Sequence, residues 1–228
     1  MLFRSIAVMT LLGLPAGVVR PTALGLNVIV ATIASVQFFR AGHFRSGLFW
    51  PLAAASVPCA AIGGSLDLPT GAFEALVGVV LLLSAVRLVG ESFLLSSDPL
   101  EAVAPPSPRL LTGMALAALG AAIGLLSGLT GVGGGVFLTP ALLTLRAAPV
   151  KQVAAITAPF ILLNSLAGLA GGLVAGRGLP AVSLPVIAAA ALGGAVGSQL
   201  GAFRLPVRTL RLLMAVVLAF ASVKLLRL

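Results

Sequence analysis

Five glycines fall within nine residues, Ser127-Gly128-Leu129-Thr130-Gly131-Val132-Gly133-Gly134-Gly135, with two hydroxyl side chains among them. Glycine in a helix interior costs about 1 kcal/mol relative to alanine, so a helix is expected to break across 128–135. The residues after the run, 136–145, are apolar and long enough for a short helix. The first four amides of such a helix have no internal partner, and its dipole places roughly half a positive charge at that end. The chemistry implied is capture of an anion by backbone N–H groups. Gly131, Gly133, Gly134 and Gly135 would let the main chain approach the ligand, and Ser127 and Thr130 would add hydroxyl donors. The competing reading is that the glycines only permit close helix crossing, as small-residue faces do. A packing face places its glycines four apart, whereas Gly133, Gly134 and Gly135 are consecutive, which favours the anion reading.

Other chemistry finds little support. The run lacks the Gly-Lys-Ser/Thr ending of a nucleotide-phosphate loop. His43 is the only histidine and Cys59 the only cysteine, so no intramolecular disulfide, metal-ligand cluster or nucleophile–base pair is spelled out. No cofactor and no enzymatic activity are expected. Asp67, Glu74, Glu91, Asp98 and Glu101 are the only carboxylates, and none sits in the middle of an apolar segment.

The elements that must hold the glycine run are membrane helices. Of the 228 residues, 60% are hydrophobic and 8% charged, with mean hydropathy +1.20. Soluble domains carry roughly 25% charged residues. Apolar segments are expected at 5–19 (short), 22–39, 48–66, 71–89, 110–126, 136–145, 153–174, 181–200 and 207–226, most of them near the ~20 residues a bilayer requires. A proline-rich polar linker, 90–109, divides the chain into a first repeat, 1–89, and a second, 110–228. The order of helix, proline, small-residue helix and terminal basic residue recurs in both, which predicts an all-α membrane fold of two inverted repeats. Each repeat would be a broken or re-entrant hairpin followed by three spans. A counterpart of 128–135 would precede residue 1, so the first hairpin is expected to be incomplete; the alternative is a signal peptide with Met1-Leu2-Phe3-Arg4 at its start.

The net charge of +9 follows segment ends, with no basic stripe and no tyrosine to suggest nucleic acid. Arg40, Arg45, Arg87, Arg109, Arg146, Lys151, Arg204, Arg208 and Arg211 fall on one side; Arg20, Arg177, Lys224 and Arg227 fall on the other. That bias places the linker in the cytoplasm of a multi-pass inner-membrane protein. Asn27, Thr32, Asn164 and Ser165 lie mid-span and must face the bundle interior, where interhelical bonding and substrate contact explain them equally well.

The stretch from Gly124 to Leu142, Gly-Leu-Leu-Ser-Gly-Leu-Thr-Gly-Val-Gly-Gly-Gly-Val-Phe-Leu-Thr-Pro-Ala-Leu, resembles the signature of the TauE/SafE sulfite-exporter family of membrane permeases. Asn164-Ser165-Leu166-Ala167-Gly168 looks like that family's next helix, and Leu24-Gly25-Leu26-Asn27 like the matching helix of the first repeat. The resemblance implies secondary transport of a small sulfur-containing anion such as sulfite, thiosulfate or an organosulfonate. The candidate ligands are Ser127, Thr130, Gly131, Gly133, Gly134, Gly135, Asn164, Ser165, Asn27 and Thr32. A passive anion channel and a truncated, non-transporting membrane protein are the alternatives. The expected partners are the substrate anion and the lipid bilayer, with a homo-oligomer left open.

Overall fold

A computed structural model describes residues 16–66, 113–145, 147–178 and 183–204, with isolated positions 86, 206, 209, 212, 213 and 216. Apart from those isolated positions, the expected segments at 71–89 and 207–226, the linker at 90–109 and most of 5–19 lie outside these residues.

The described residues are helical, with no strand among them: α1 (Ala16–Arg40), α2 (Ser46–Ser65), α3 (Gly113–Thr130), α4 (Gly135–Thr144), α5 (Val150–Val174) and α6 (Leu184–Gln199), which runs on into a π-helical turn, Leu200–Arg204. Five stretches are long and apolar enough to cross a membrane: Arg20–Arg40, Ser46–Ser65, Gly113–Thr130, Val150–Val174 and Leu184–Arg204. The ten residues of α4 rise only about 15 Å, half of a ~30 Å hydrocarbon core. The helix bounds differ from the expected segments by a few residues, and two of these differences bear on the site. α3 runs through Gly128 to Thr130 rather than ending at 126, and α1 begins at Ala16 and continues through Pro21. In α3 the propensity cost of Gly128 is outweighed by the helix contact that only a glycine permits there.

That contact sets the bundle. Along α3, Gly120, Gly124 and Gly128 face Leu52, Ser56 and Ala60 of α2, and at each a methyl group would fall on a backbone carbonyl oxygen of α2. The equal four-residue steps mean that the two helices run parallel with their main chains in contact. α5 follows the same direction: Ser56 meets Asn164, and a methyl on Gly171 would strike the Ala61 carbonyl. α1 runs antiparallel to α5, with Leu24 beside Gly168 and Phe38 packed with Ala155. α4 turns back along the first half of α5, where Thr139 Oγ1 and Thr157 Oγ1 lie 3.3 Å apart. The apolar core fills the half of the bundle that holds α4, with Phe49 and Leu52, Leu116 and Ile123, Phe137 and Leu142, and Ile156 and Phe160.

α6 covers the outside of α1. Gln37 Nε2 donates to the Ala195 carbonyl (3.2 Å), and Ser198 Oγ donates to Gln37 Oε1 (2.8 Å). No residue of α6 itself is buried, and Leu184, Leu192 and Val196 present an apolar surface suited to lipid. Gln37 therefore ties two helices together.

Arg20 and Arg177 lie at one end of the bundle, since both donate to the Leu66 carbonyl. Arg40, Arg45 and Lys151 mark the other ends of α1, α2 and α5, so these five charges divide as their sequence positions require.

Two substitutions test this packing. Gly124→Val is expected to cost about 1–3 kcal/mol or to prevent folding, whereas Gly113→Ala, with open space around it, leaves the melting temperature in detergent unchanged. Equal melting temperatures for the two variants would contradict the parallel α2–α3 contact. Ser56→Ala leaves the fully buried Asn164 Oδ1 short of its donor and is expected to destabilise by about 1–3 kcal/mol in the same melting assay.

Candidate functional site

Thr130 closes α3 by donating from Oγ1 to the Leu126 carbonyl (2.7 Å) and accepting the Val132 amide (3.3 Å). The chain then reverses through Gly131, Gly133 and Gly134, with φ of 73°, 80° and 77°. Side chains rarely adopt that left-handed region, so the turn needs glycine at these positions. Gly134 caps α4, accepting at its carbonyl the amides of Phe137 (3.1 Å) and Leu138 (3.0 Å). Among the described residues, the amides of Gly133, Gly134, Gly135 and Val136 donate to no acceptor.

Side-chain donors converge on this break. A methyl group on Gly133 would lie 2.8 Å from Asn27 Nδ2 of α1 and 2.9 Å from Ser165 Oγ of α5. One on Gly134 would lie 3.2 Å from the Ser127 Cβ. Asn27 is 3% exposed, Ser127 and Ser165 are 0% exposed, and Asn27 Nδ2, Ser127 Oγ and Ser165 Oγ have no hydrogen-bond partner among the described residues. Buried polar groups are almost always paired, because leaving one unpaired costs about 1–3 kcal/mol. Three such groups beside four open amides make a cluster of donors that an acceptor-rich ligand would satisfy. The apolar walls are Phe160 and Ile161, whose side chains lie 3.0 Å and less from the methyl positions of Gly134 and Gly135, with the Thr157 methyl beside them. Opposite the middle of α5, the cluster sits at mid-depth in the bundle.

The sequence candidates separate into three groups. Asn27, Ser127, Gly133, Gly134, Gly135 and Ser165 are brought together. Thr130 and Gly131 shape the turn, and Gly131 faces the Arg20 backbone, its methyl position 3.3 Å from Arg20 Cα. Asn164 and Thr32 point elsewhere. Asn164 accepts from Ser56 Oγ and donates from Nδ2 to the Phe160 carbonyl (2.8 Å), while exposed Thr32 donates to the Val28 carbonyl (2.7 Å). Of the adjacent pair at 164 and 165, interhelical bonding thus takes the asparagine and leaves the serine at the break. Sequence reasoning missed Thr157, Phe160 and Ile161; the only signal was their position within one or two turns of Ser165.

The chain matches the family described as sulfite exporter TauE/SafE over residues 3–225. It is 36% identical over 175 residues to the "Probable membrane transporter protein y4hK" of Sinorhizobium fredii (strain NBRC 101917 / NGR234), an alignment covering 77% of this chain and 69% of that protein. No solved structure matches it significantly. With a family match across nearly its whole length and a broken helix enclosed by apolar spans, the chain belongs to the TauE/SafE family of membrane transporters.

Proposed function

We propose that the chain is a secondary transporter of a small sulfur oxyanion, such as sulfite, thiosulfate or an organosulfonate, which binds at the α3–α4 break. The observation that carries this reading is the convergence of Asn27 Nδ2 and Ser165 Oγ on Gly133, next to the unpaired amides at the start of α4. Every group named there offers an N–H or O–H, and an oxyanion only accepts. The positive end of the α4 dipole adds attraction without a formal charge. A ligand held by dipoles alone is bound yet released readily, as turnover requires.

Movement would proceed by alternating access between two inverted repeats, 1–89 and 110–228, joined by a cytoplasmic linker at 90–109. Asn27 on α1 and Ser165 on α5 come from different repeats, so rocking one repeat against the other would open the site to either side in turn.

Uptake of ³⁵S-labelled sulfite and thiosulfate into proteoliposomes tests the proposal. Removing one donor to a charged ligand costs about 1.5–3 kcal/mol, so Asn27→Ala and Ser165→Ala should each lower kcat/KM by roughly 10- to 100-fold. Thr32→Ala, which changes a side chain outside the cluster, should transport as the native chain does. Native rates in both Asn27→Ala and Ser165→Ala would overturn the assignment. Accumulation against a gradient, lost when an ionophore collapses the driving force, distinguishes coupled transport from a passive anion channel.

A further inference from the structure

Along α5, Thr157, Ile161 and Ser165 stand four residues apart and so share one face, which lies against the break. The outer two carry hydroxyls, and the middle one is branched hydrocarbon. Ile161 reaches both sides of the turn. A methyl on Gly133 would lie 2.9 Å from Ile161 Cγ2, as close as it lies to Ser165 Oγ. A methyl on Gly135 would lie 2.6 Å from Ile161 Cγ1, with Cδ1 nearer still. This side chain therefore bounds the space alongside the amides at the start of α4.

The remaining walls have no room to give. Phe160 and Ile123, which flank Gly134, belong to the apolar core and are 0% and 4% exposed. Asn27, Ser127, Thr157 and Ser165 are buried as well. Among the described side chains nearest Gly133, Gly134 and Gly135, Ile161 is the exception, being half-buried. Protein interiors are packed as closely as organic crystals, so a group attached to a bound anion cannot extend into the core. It would have to pass Ile161. That residue is also stiff. A β-branched side chain in a helix keeps one strongly preferred χ1, which holds Cγ2 against Gly133 and leaves only Cδ1 free to turn.

We propose that Ile161 is the size filter of the donor cluster, restricting it to compact inorganic sulfur oxyanions and excluding sulfonates that carry an organic tail. The proposal rests on the donor cluster being the transport site, and it narrows what that site takes. Sulfite and a sulfonate both present three oxygens on one sulfur, so Asn27, Ser165 and the amides of the break can bind either head. Discrimination then falls to the wall that a tail would meet. One methylene more than a pocket accommodates changes affinity by roughly 10- to 200-fold, enough to separate the two classes.

Inhibition of ³⁵S-sulfite uptake by ethanesulfonate, measured in proteoliposomes, tests the filter. For the native chain the ethanesulfonate inhibition constant should lie at least about tenfold above the KM for sulfite. Ile161→Ala should lower that constant by about tenfold while leaving the sulfite KM within about twofold of native. The same ligand is compared in both proteins, so its charge cancels. Ile161→Val, which removes only the Cδ1 methyl, should fall between the two and serves if the alanine variant does not fold. A wall with a packing role alone would lower the melting temperature and leave the ethanesulfonate constant native in both variants, and that result overturns the filter. So does a native chain that ethanesulfonate inhibits as strongly as sulfite itself. Ser165→Ala, run alongside, separates this proposal from the one beneath it. A large loss of sulfite uptake there, with a native ethanesulfonate constant in the Ile161 variants, sinks the filter and leaves the site standing. Native uptake in Ser165→Ala sinks both.

Discussion

A helix interrupted inside a bilayer exposes amides that lipid cannot satisfy, and this constraint organises the rest of the structure. The break between α3 and α4 leaves the Gly133, Gly134, Gly135 and Val136 amides without an acceptor among the described residues, so it has to be enclosed by protein. Enclosure comes from α1 and α5, which press Asn27, Phe160, Ile161 and Ser165 against the turn. Those walls contribute donors as well as apolar surface. The enclosure therefore shields the break from lipid without quenching it, and what is left is a buried place for a group that accepts hydrogen bonds.

The close approach of these helices depends on glycine in two distinct ways. Gly120, Gly124 and Gly128 are ordinary helical residues whose missing side chains let α3 touch the α2 main chain. Gly131, Gly133 and Gly134 instead supply left-handed backbone for the reversal. Gly128 belongs to the dense glycine run yet works in packing, so the two rival readings of that run hold for different residues within it. The packing glycines fix the height of the turn against α2 and α5. The turn glycines aim α4 back along α5, with its positive end at mid-depth.

Much of this was legible in the sequence. Consecutive glycines before a short apolar segment announce a break, and isolated Asn and Ser residues in apolar spans announce an inward face. The family likewise followed from the glycine-and-proline motif. What sequence could not reveal was rotation. Asn164 and Ser165 are neighbours pointing about 100° apart on a helix, and only the placement of Ser56 decides that the first is structural. Thr32 is likewise exposed on α1, whereas Asn27, five residues earlier, is buried at the break. Arg20 and Arg177 read as topology markers because their meeting at the Leu66 carbonyl depends on the fold, with no local pattern to signal it.

In the proposed site an oxyanion sits at the start of α4 among donors from α1, α3 and α5. Selenite has the shape and charge of sulfite and scatters anomalously, so crystals grown with it would locate the anion directly. A selenium peak is expected within hydrogen-bonding reach of Asn27 Nδ2, Ser165 Oγ and the Gly134 and Gly135 amides. A well-ordered crystal with selenite bound elsewhere and none at this cluster would contradict it.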